Sequence, residues 1–382
     1  MGKTVLILGG GMGGVVAANV LRKKLAAEHK IILIDQSQDH FFYPSLLWVL
    51  DGGRTPAQIV KRLDRLDRKG IIFRQAAVQK IDLAEKKVLA GGESFAYDYL
   101  VIALGAEHNY AALPGLTPER SLFDLSGILA AKEKLKAFTG GKVFVVVAGA
   151  PFRCPAAPYE AAMILNDIFR RKGIRDKVDL RLFTVEDQPM PVAGPKIGAA
   201  VRGMIEAQGI KYFPKYKITS INDTNSEIVF ENGEKHNFDL LLVVPPHKAP
   251  DVVKDAGLLG ETGWLPVNAN TLAAKTPGVF AVGDITGVKL SNGKALPKAG
   301  VFAHFEAEVA AKRIAEEING KTPTDSFNGG GSCFLEVGGG RAGLAFGDFY
   351  GVPDPKVTML SPLKLWHWAK IIFEKWWFWK WF

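Results

Sequence analysis

A chain of 382 residues is too long for one ordinary domain, so two or three are expected. With 48% hydrophobic and 23% charged residues the composition is ordinary for a globular protein with a large core. The net charge of +9 admits nucleic acid, an anionic membrane or an anionic ligand. Lys and Arg are spread along the chain without a nucleic-acid motif, which argues against nucleic acid.

The two cysteines, Cys154 and Cys333, do not make a disulfide scaffold. They are either inert core residues or a functional pair. Val5 to Leu8 is too short for a signal segment and runs into glycines, which for a membrane-bound protein favours the cytoplasmic face. No apolar run reaches the ~18 residues of a transmembrane helix. The histidines show no metal-ligand spacing, so no metal site is expected, and His304 reads as structural.

In chain order, Lys3 to Leu8 reads as a buried strand, followed by a glycine turn and a helix through Lys24. Ile31 to Asp35 is a second strand. Ile71 to Ala77 and Lys87 to Leu89 flank a short hairpin. Tyr97 to Leu104 is a further buried strand ending at Gly105. A second strand–turn–helix opens at Lys142, with Val143 to Ala148 as strand and Pro155 to Arg171 as helix. Asp179 to Val185, Ile210 to Phe213 and Leu240 to Val244 complete that unit, with a helix over Gly194 to Gln208. Asn232-Gly233 marks a hairpin. Val279 to Val282, ending in Gly283-Asp284, and a helix over Ala299 to Ile318 return to the first pattern. The expected architecture is α/β, with tandem Rossmann-like domains and a C-terminal amphipathic anchoring segment. The expected boundaries are 1–111 with 247–320 for a discontinuous first domain, 112–246 for a second, and 321–382 for the C-terminal segment.

Gly9, Gly11 and Gly14 follow the first strand in the spacing G-x-G-x-x-G and open a helix. The first glycine permits the tight turn, the second lets backbone approach a pyrophosphate, and the third allows close helix–strand packing. The helix N-terminus supplies positive potential. Asp35 closes the second strand, where a carboxylate reads ribose hydroxyls.

With Tyr97 to Gly105 and Thr276 to Asp284, the chain resembles the two-dinucleotide-fold flavoproteins, which include glutathione reductase and type II NADH dehydrogenases. The resemblance implies FAD as cofactor, with Asp284 on its ribityl chain and Ser45, Val78, Gly105, Lys298 and Gly300 near it. The second unit departs from that family. Its turn, Gly149-Ala-Pro-Phe-Arg-Cys154-Pro155, keeps one glycine, and Pro151 removes an N–H donor, which argues against a nicotinamide site there. Cys154 is expected at or near a helix N-cap, where the dipole lowers a thiol pKa.

The run Cys154-Pro-x-x-Pro-x-Glu160, Cys333 within Gly-Gly-Gly-Ser-Cys-Phe, Phe42 to Trp48 and Pro297-Lys-Ala-Gly300 together resemble the sulfide:quinone oxidoreductases and flavocytochrome c sulfide dehydrogenases. That resemblance implies Cys154 and Cys333 as the redox pair and Glu160 as proton acceptor. It also implies sulfide or polysulfide and a membrane quinone as partners. Lys298 is expected at the flavin's N1–O2 edge. Ser121 to Ile128 lacks the third cysteine of many members, which implies non-covalent FAD.

The tail carries Trp366, Trp368, Trp376, Trp377, Trp379 and Trp381 among lysines. On a helical wheel Lys364, His367, Lys370, Glu374 and Lys375 form one arc, with most tryptophans opposite. This reads as an interfacial anchor at the membrane surface over 361–382. The same tail could instead pack on its own protein or on a dimer mate, so a homo-oligomer stays open. The competing readings are a type II NADH:quinone oxidoreductase-like enzyme and a non-enzymatic flavin-binding scaffold.

Overall fold

The computed structural model describes residues 2–382. Strand β1 (Thr4–Leu8) is an unbroken apolar run, and Val5 to Leu8 have no exposure. Such a run suits a parallel strand covered on both faces. It pairs in parallel with β2 (Lys30–Asp35) on one side and β4 (Tyr99–Ile102) on the other. Beyond β2 lies β3 (Ile72–Gln75), and beyond β4 lies β11 (Val279–Ala281). The first sheet therefore takes its last strand from far along the chain.

Between these pieces stands a second parallel sheet. Its strands are β6 (Gly141–Val147), β7 (Val178–Thr184), β8 (Lys211–Pro214) and β9 (Leu240–Val244), in the order β8-β7-β6-β9. The chain leaves and re-enters through a short antiparallel pair, β5 (Glu107–His108) with β10 (His247–Lys248). A third sheet is antiparallel: β12 (Gly330–Gly338), β13 (Arg341–Asp348) and β14 (Lys356–Leu363).

Helix α1 (Met12–Lys24) follows the glycine turn, and α2 (Leu125–Ala137) and α3 (Ala157–Arg171) belong to the second sheet. Helix α4 (Gly300–Ile318) packs on α1, close enough that a Cβ on Gly300 would lie 2.2 Å from Met12 Sδ. Helix α5 (Lys364–Trp381) ends the chain. Its buried residues Lys370, Glu374, Trp377, Phe378 and Trp381 follow helical spacing and form one stripe. Trp377, Phe378 and Trp381 join the core of the first sheet, while Leu335 and Val337 of β12 join that of the second. The C-terminal segment thus straddles both sheets.

The wheel reading of α5 is corrected here. Of the expected polar arc, Lys370 and Glu374 face the protein, and so do Trp377 and Trp381, while Lys364 and Lys375 stay exposed. The outward face is Leu365, Trp368, Ile372 and Trp379 with Lys375, and Trp379 is 80% exposed. Buried partners for the charges, described below, reverse the usual polar-out rule.

The glycine turn is sterically dictated. Gly9 sits at φ 101, and a Cβ on Gly14 would lie 1.8 Å from Gly9 O. A Gly14→Val variant is expected to cost at least ~1–3 kcal/mol through overpacking. Thermal unfolding and flavin content per chain will both fall; a fully loaded, equally stable variant would refute this account of the turn.

Candidate active site

The dinucleotide cradle is assembled by backbone. Gly9 N donates to Ile34 O at 2.8 Å, and Gly10 N donates to Asp35 Oδ2 at 2.6 Å. Asp35 thereby ties the turn to β2, and burial holds its pKa above the usual carboxylate range. Nothing lies within 4 Å of a Cβ placed on Gly11, so backbone there is open to a pyrophosphate. Gly105 is likewise open, at φ 69. Asp284 lies half-buried on the one-turn helix Gly283–Ile285 after β11. These residues fit FAD.

The other expected cofactor contacts have partners of their own within the protein. Val78 pairs with Ala90 in a small antiparallel sheet, and the buried Ser45 hydroxyl donates to Glu374 Oε2 at 2.6 Å. The Lys298 ammonium donates to Asp284 O at 2.5 Å and Thr286 O at 3.2 Å, and sits 3.4 Å from the Trp264 ring centroid. Burial lowers its pKa to about 8. Backbone carbonyls and the indole face thus fix the ammonium in place beside Asp284. The start of α4 at Gly300 remains as a source of positive potential. Behind it, buried Glu306 accepts from Gly283 N at 2.6 Å, and burial raises its pKa to about 7.

Cys154, in the loop between β6 and α3, meets Cys333 of β12. Cys154 N donates to Lys298 O at 2.6 Å, and its carbonyl accepts from Ala157 N at 2.9 Å. Cys333 lies on β12 opposite Ala345. Both are free thiols, and the Cys154 thiol is pushed up, first by its hydrogen bond with Cys333 and then by burial. The expected N-cap position is corrected: α3 begins at Ala157 with Ala156 as its cap, and Cys154 precedes it at φ 50. Only its carbonyl meets a first-turn N–H, and the thiol is raised rather than lowered.

Glu160 lies next to the pair on α3. Its Oε1 accepts from Glu336 N at 2.9 Å and from Lys370 Nζ at 3.2 Å. Lys370 Nζ is 3.7 Å from Glu336 Oε1, and His367 Nδ1 is 3.0 Å from Glu336 Oε2. Burial alone would lower the Lys370 pKa, but Glu160 and Glu336 outweigh it and hold it above the ordinary value. A second buried group anchors the same helix: Arg54 Nε is 3.0 Å from Glu374 Oε1. A third contact runs from Trp377 Nε1 to His40 Nε2 at 3.2 Å, and His40 Nδ1 lies 2.9 Å from Gly10 O.

Sequence reasoning missed Arg54, Glu336 and Lys370 as site residues and Glu374 as an anchor, because the wheel placed Lys370 and Glu374 outside. It also missed Glu186, just past β7, the place where a Rossmann unit reads ribose hydroxyls. Glu186 Oε2 already accepts from Tyr159 Oη at 2.6 Å, and burial raises its pKa to about 7. The position after a Rossmann second strand was the available signal.

Two parallel Rossmann-type sheets, a glycine cradle and a cysteine pair define a two-dinucleotide-fold disulfide oxidoreductase. Residues 3–307 match the pyridine nucleotide-disulphide oxidoreductase family, and the chain belongs to it. It is 26% identical to the mitochondrial sulfide:quinone oxidoreductase of Mus musculus, over 91% of this chain and 79% of that protein. It is 26% identical to the sulfide-quinone reductase of Aquifex aeolicus, over 100% and 91%. The crystal structure of the sulfide:quinone oxidoreductase from Aquifex aeolicus superposes with a TM-score of 0.89 at 25% identity, covering 99% of this chain and 91% of that one. A type II NADH:quinone oxidoreductase of Haemophilus influenzae is 23% identical over 85% and 82%.

Glu374→Ala leaves Arg54 half-buried without its partner and is expected to cost ~3–5 kcal/mol. Its signature is early proteolysis of α5 before global unfolding; an α5 as resistant as the parent's would remove Glu374 from the anchoring role. Glu306 gives a pH test. Its folded pKa lies above the unfolded value, so the folded state holds the proton more tightly. The penalty is absent below about 4.5 and complete above about 7. Glu306→Gln is therefore expected to stabilise by about 3 kcal/mol at pH 8 and hardly at all at pH 4.5 in chemical denaturation.

Proposed function

We propose that this protein is a membrane-associated flavoenzyme that oxidises sulfide at Cys154 and Cys333 and passes the electrons through FAD to a quinone. The carrying observation is the meeting of Cys154, in the altered turn of the second unit, with Cys333 of the third sheet. FAD supplies two-electron transfer between the sulfur chemistry and the quinone.

The chain's own residues supply the rest. In the oxidised pair, hydrosulfide attacks one sulfur; a new S–S bond forms, the Cys–Cys bond breaks, and the other cysteine leaves as thiolate. Lys370 is the nearest fixed cation described for that thiolate, since its charge already favours the ionised form of Cys154. Glu160 is placed to take protons, with Glu336 and His367 leading outward. The sulfur leaves as a polysulfide or sulfur chain.

Among the described residues no helix is long and apolar enough to cross a membrane. The outward face of α5, with Trp368, Ile372 and Trp379 exposed beside Lys375, suits a monotopic seat at an interface. A quinone dissolved in the bilayer is then within reach of the site, because the inner face of the same helix carries Lys370.

The NADH-driven reading is disfavoured by particular contacts. A Cβ placed on Gly149 would lie 3.2 Å from Pro246 Cβ, and Glu186 is occupied by Tyr159. In anaerobic stopped flow, sulfide is expected to bleach the flavin and a quinone analogue to restore it, while NADH acts at least ~100-fold more slowly. Cys154→Ser and Cys333→Ser should each lose at least ~100-fold in the sulfide half-reaction. Rapid bleaching by NADH with none by sulfide would sink the proposal.

A further inference from the structure

The crossing between the two parallel sheets holds a polar cluster that the cysteine chemistry above does not use. His108 on β5 pairs with His247 on β10, and their ring centroids are 4.9 Å apart in edge-to-face contact. Phe123 closes one side, 5.7 Å from the His247 ring. His108 Nδ1 lies 2.9 Å from Asp124 Oδ2, and the Tyr110 hydroxyl also donates to that oxygen. Hydrogen bonds from His108, Ser121 and Tyr110 outweigh burial and hold the Asp124 pKa down at about 2. An ionised carboxylate only accepts, so in the neutral His108 ring the proton sits on Nδ1 and the lone pair on Nε2. His247 Nδ1 lies 2.8 Å from Pro245 O, which also only accepts, so His247 Nε2 is likewise a lone pair.

Three buried atoms of this cluster make no hydrogen bond: His108 Nε2, His247 Nε2 and Arg153 Nε. The His108 side chain is only 9% exposed. Buried polar atoms without partners are uncommon, and three in one cluster point to something that pairs with them. Arg153 adjoins Cys154 in the chain. Its Nη2 donates to Ala106 O at 2.6 Å, its Cζ stands 4.9 Å from the Tyr43 ring centroid, and its Nε is 3.9 Å from Asp284 Oδ2. His247 lies within the field of both neighbours: burial first, then the charge of Arg153, then His108, depress its pKa to about 2. It therefore stays neutral through the working pH range.

Two imidazole lone pairs beside a guanidinium N–H suit a small neutral acid whose conjugate base is an anion. We propose that this cluster receives hydrogen sulfide and removes one proton from it before the sulfur reaches Cys154. One S–H donates to His108 Nε2 and the other to His247 Nε2. The S–H bond to His108 breaks with its electron pair left on sulfur, and an N–H bond forms on His108. Asp124 balances the resulting imidazolium, and Arg153 holds the hydrosulfide. No electron changes hands in this step. The groups facing His108 are Asp124 from the start of α2, Tyr110 from its own turn and His247 from β10, while Arg153 from the cysteine loop and Lys298 act on His247. The arrangement is an Asp–His pair in which the carboxylate sets the tautomer of the base.

The inference rests on sulfide being the reductant and deepens that reading. Its test is the sulfide half-reaction of the FAD-loaded enzyme, followed by anaerobic stopped flow from about pH 5.5 to about pH 9. His108→Gln is expected to slow flavin reduction by ~100-fold at the acid end, where sulfide is undissociated. The gap narrows to a few-fold at the alkaline end, where solution itself supplies hydrosulfide. Asp124→Asn shifts the profile in the same direction, and added imidazole partly rescues His108→Gly. Flavin content and thermal unfolding are recorded for every variant, and Asp124→Asn carries the test if the His108 variants do not fold. A loss equal at every pH, or no loss, overturns the inference while leaving sulfide oxidation standing. A parent enzyme that sulfide does not reduce overturns both.

Discussion

The Lys370 ammonium is a buried cation between two buried carboxylates, and the arrangement of the whole site follows from that constraint. Glu160 comes from α3 of the second sheet, Glu336 from β12, and Lys370 from the last helix. Taking any one of these charges out of water is expensive unless the others are present and well placed. The three segments must therefore arrive together. When they do, Cys333, three residues before Glu336 on the same strand, is brought against Cys154. Charge balance and the sulfur pair are two consequences of one packing arrangement.

The same demand explains why α5 is inverted relative to a simple amphipathic anchor. Its inner stripe mixes Lys370 and Glu374 with Trp377, Phe378 and Trp381. Arg54 and Ser45 satisfy Glu374, and Trp377 reaches His40, which in turn touches the glycine turn at Gly10. The helix thus connects the cofactor cradle, the sulfur pair and the outward apolar face. The exposed apolar face and the charges beside the sulfur pair thus share one rigid element.

The two Rossmann units have diverged along lines that steric argument can follow. In the first, Gly9, Gly11 and Gly14 keep backbone free for a pyrophosphate. In the second, Pro151 and Phe152 fill the turn, Pro246 crowds Gly149, and Tyr159 takes the acid. A loop built to admit phosphate oxygens has become one that holds a thiol, positioned by the Lys298 carbonyl.

Much of this protein was legible in the sequence, because local rules govern those parts. Continuous apolar runs mark parallel strands, glycine spacing marks the first cradle, and the loss of that spacing marks the altered second turn. The two cysteines stood out with Glu160 through their glycine and proline settings. The tertiary structure alone decided three things. It placed Cys154 before its helix rather than on the cap, because the chain must first bridge to Lys298. It turned Lys370 and Glu374 inward, because their partners Glu160, Glu336 and Arg54 are remote in sequence and no helical wheel contains them. It gathered His108, Asp124, His247 and Arg153 at the crossing of two sheets, since only the antiparallel pairing of β5 with β10 brings those four segments together. Periodicity encodes which face is apolar; long-range charge pairing decides which face is buried, and that information resides in no single segment.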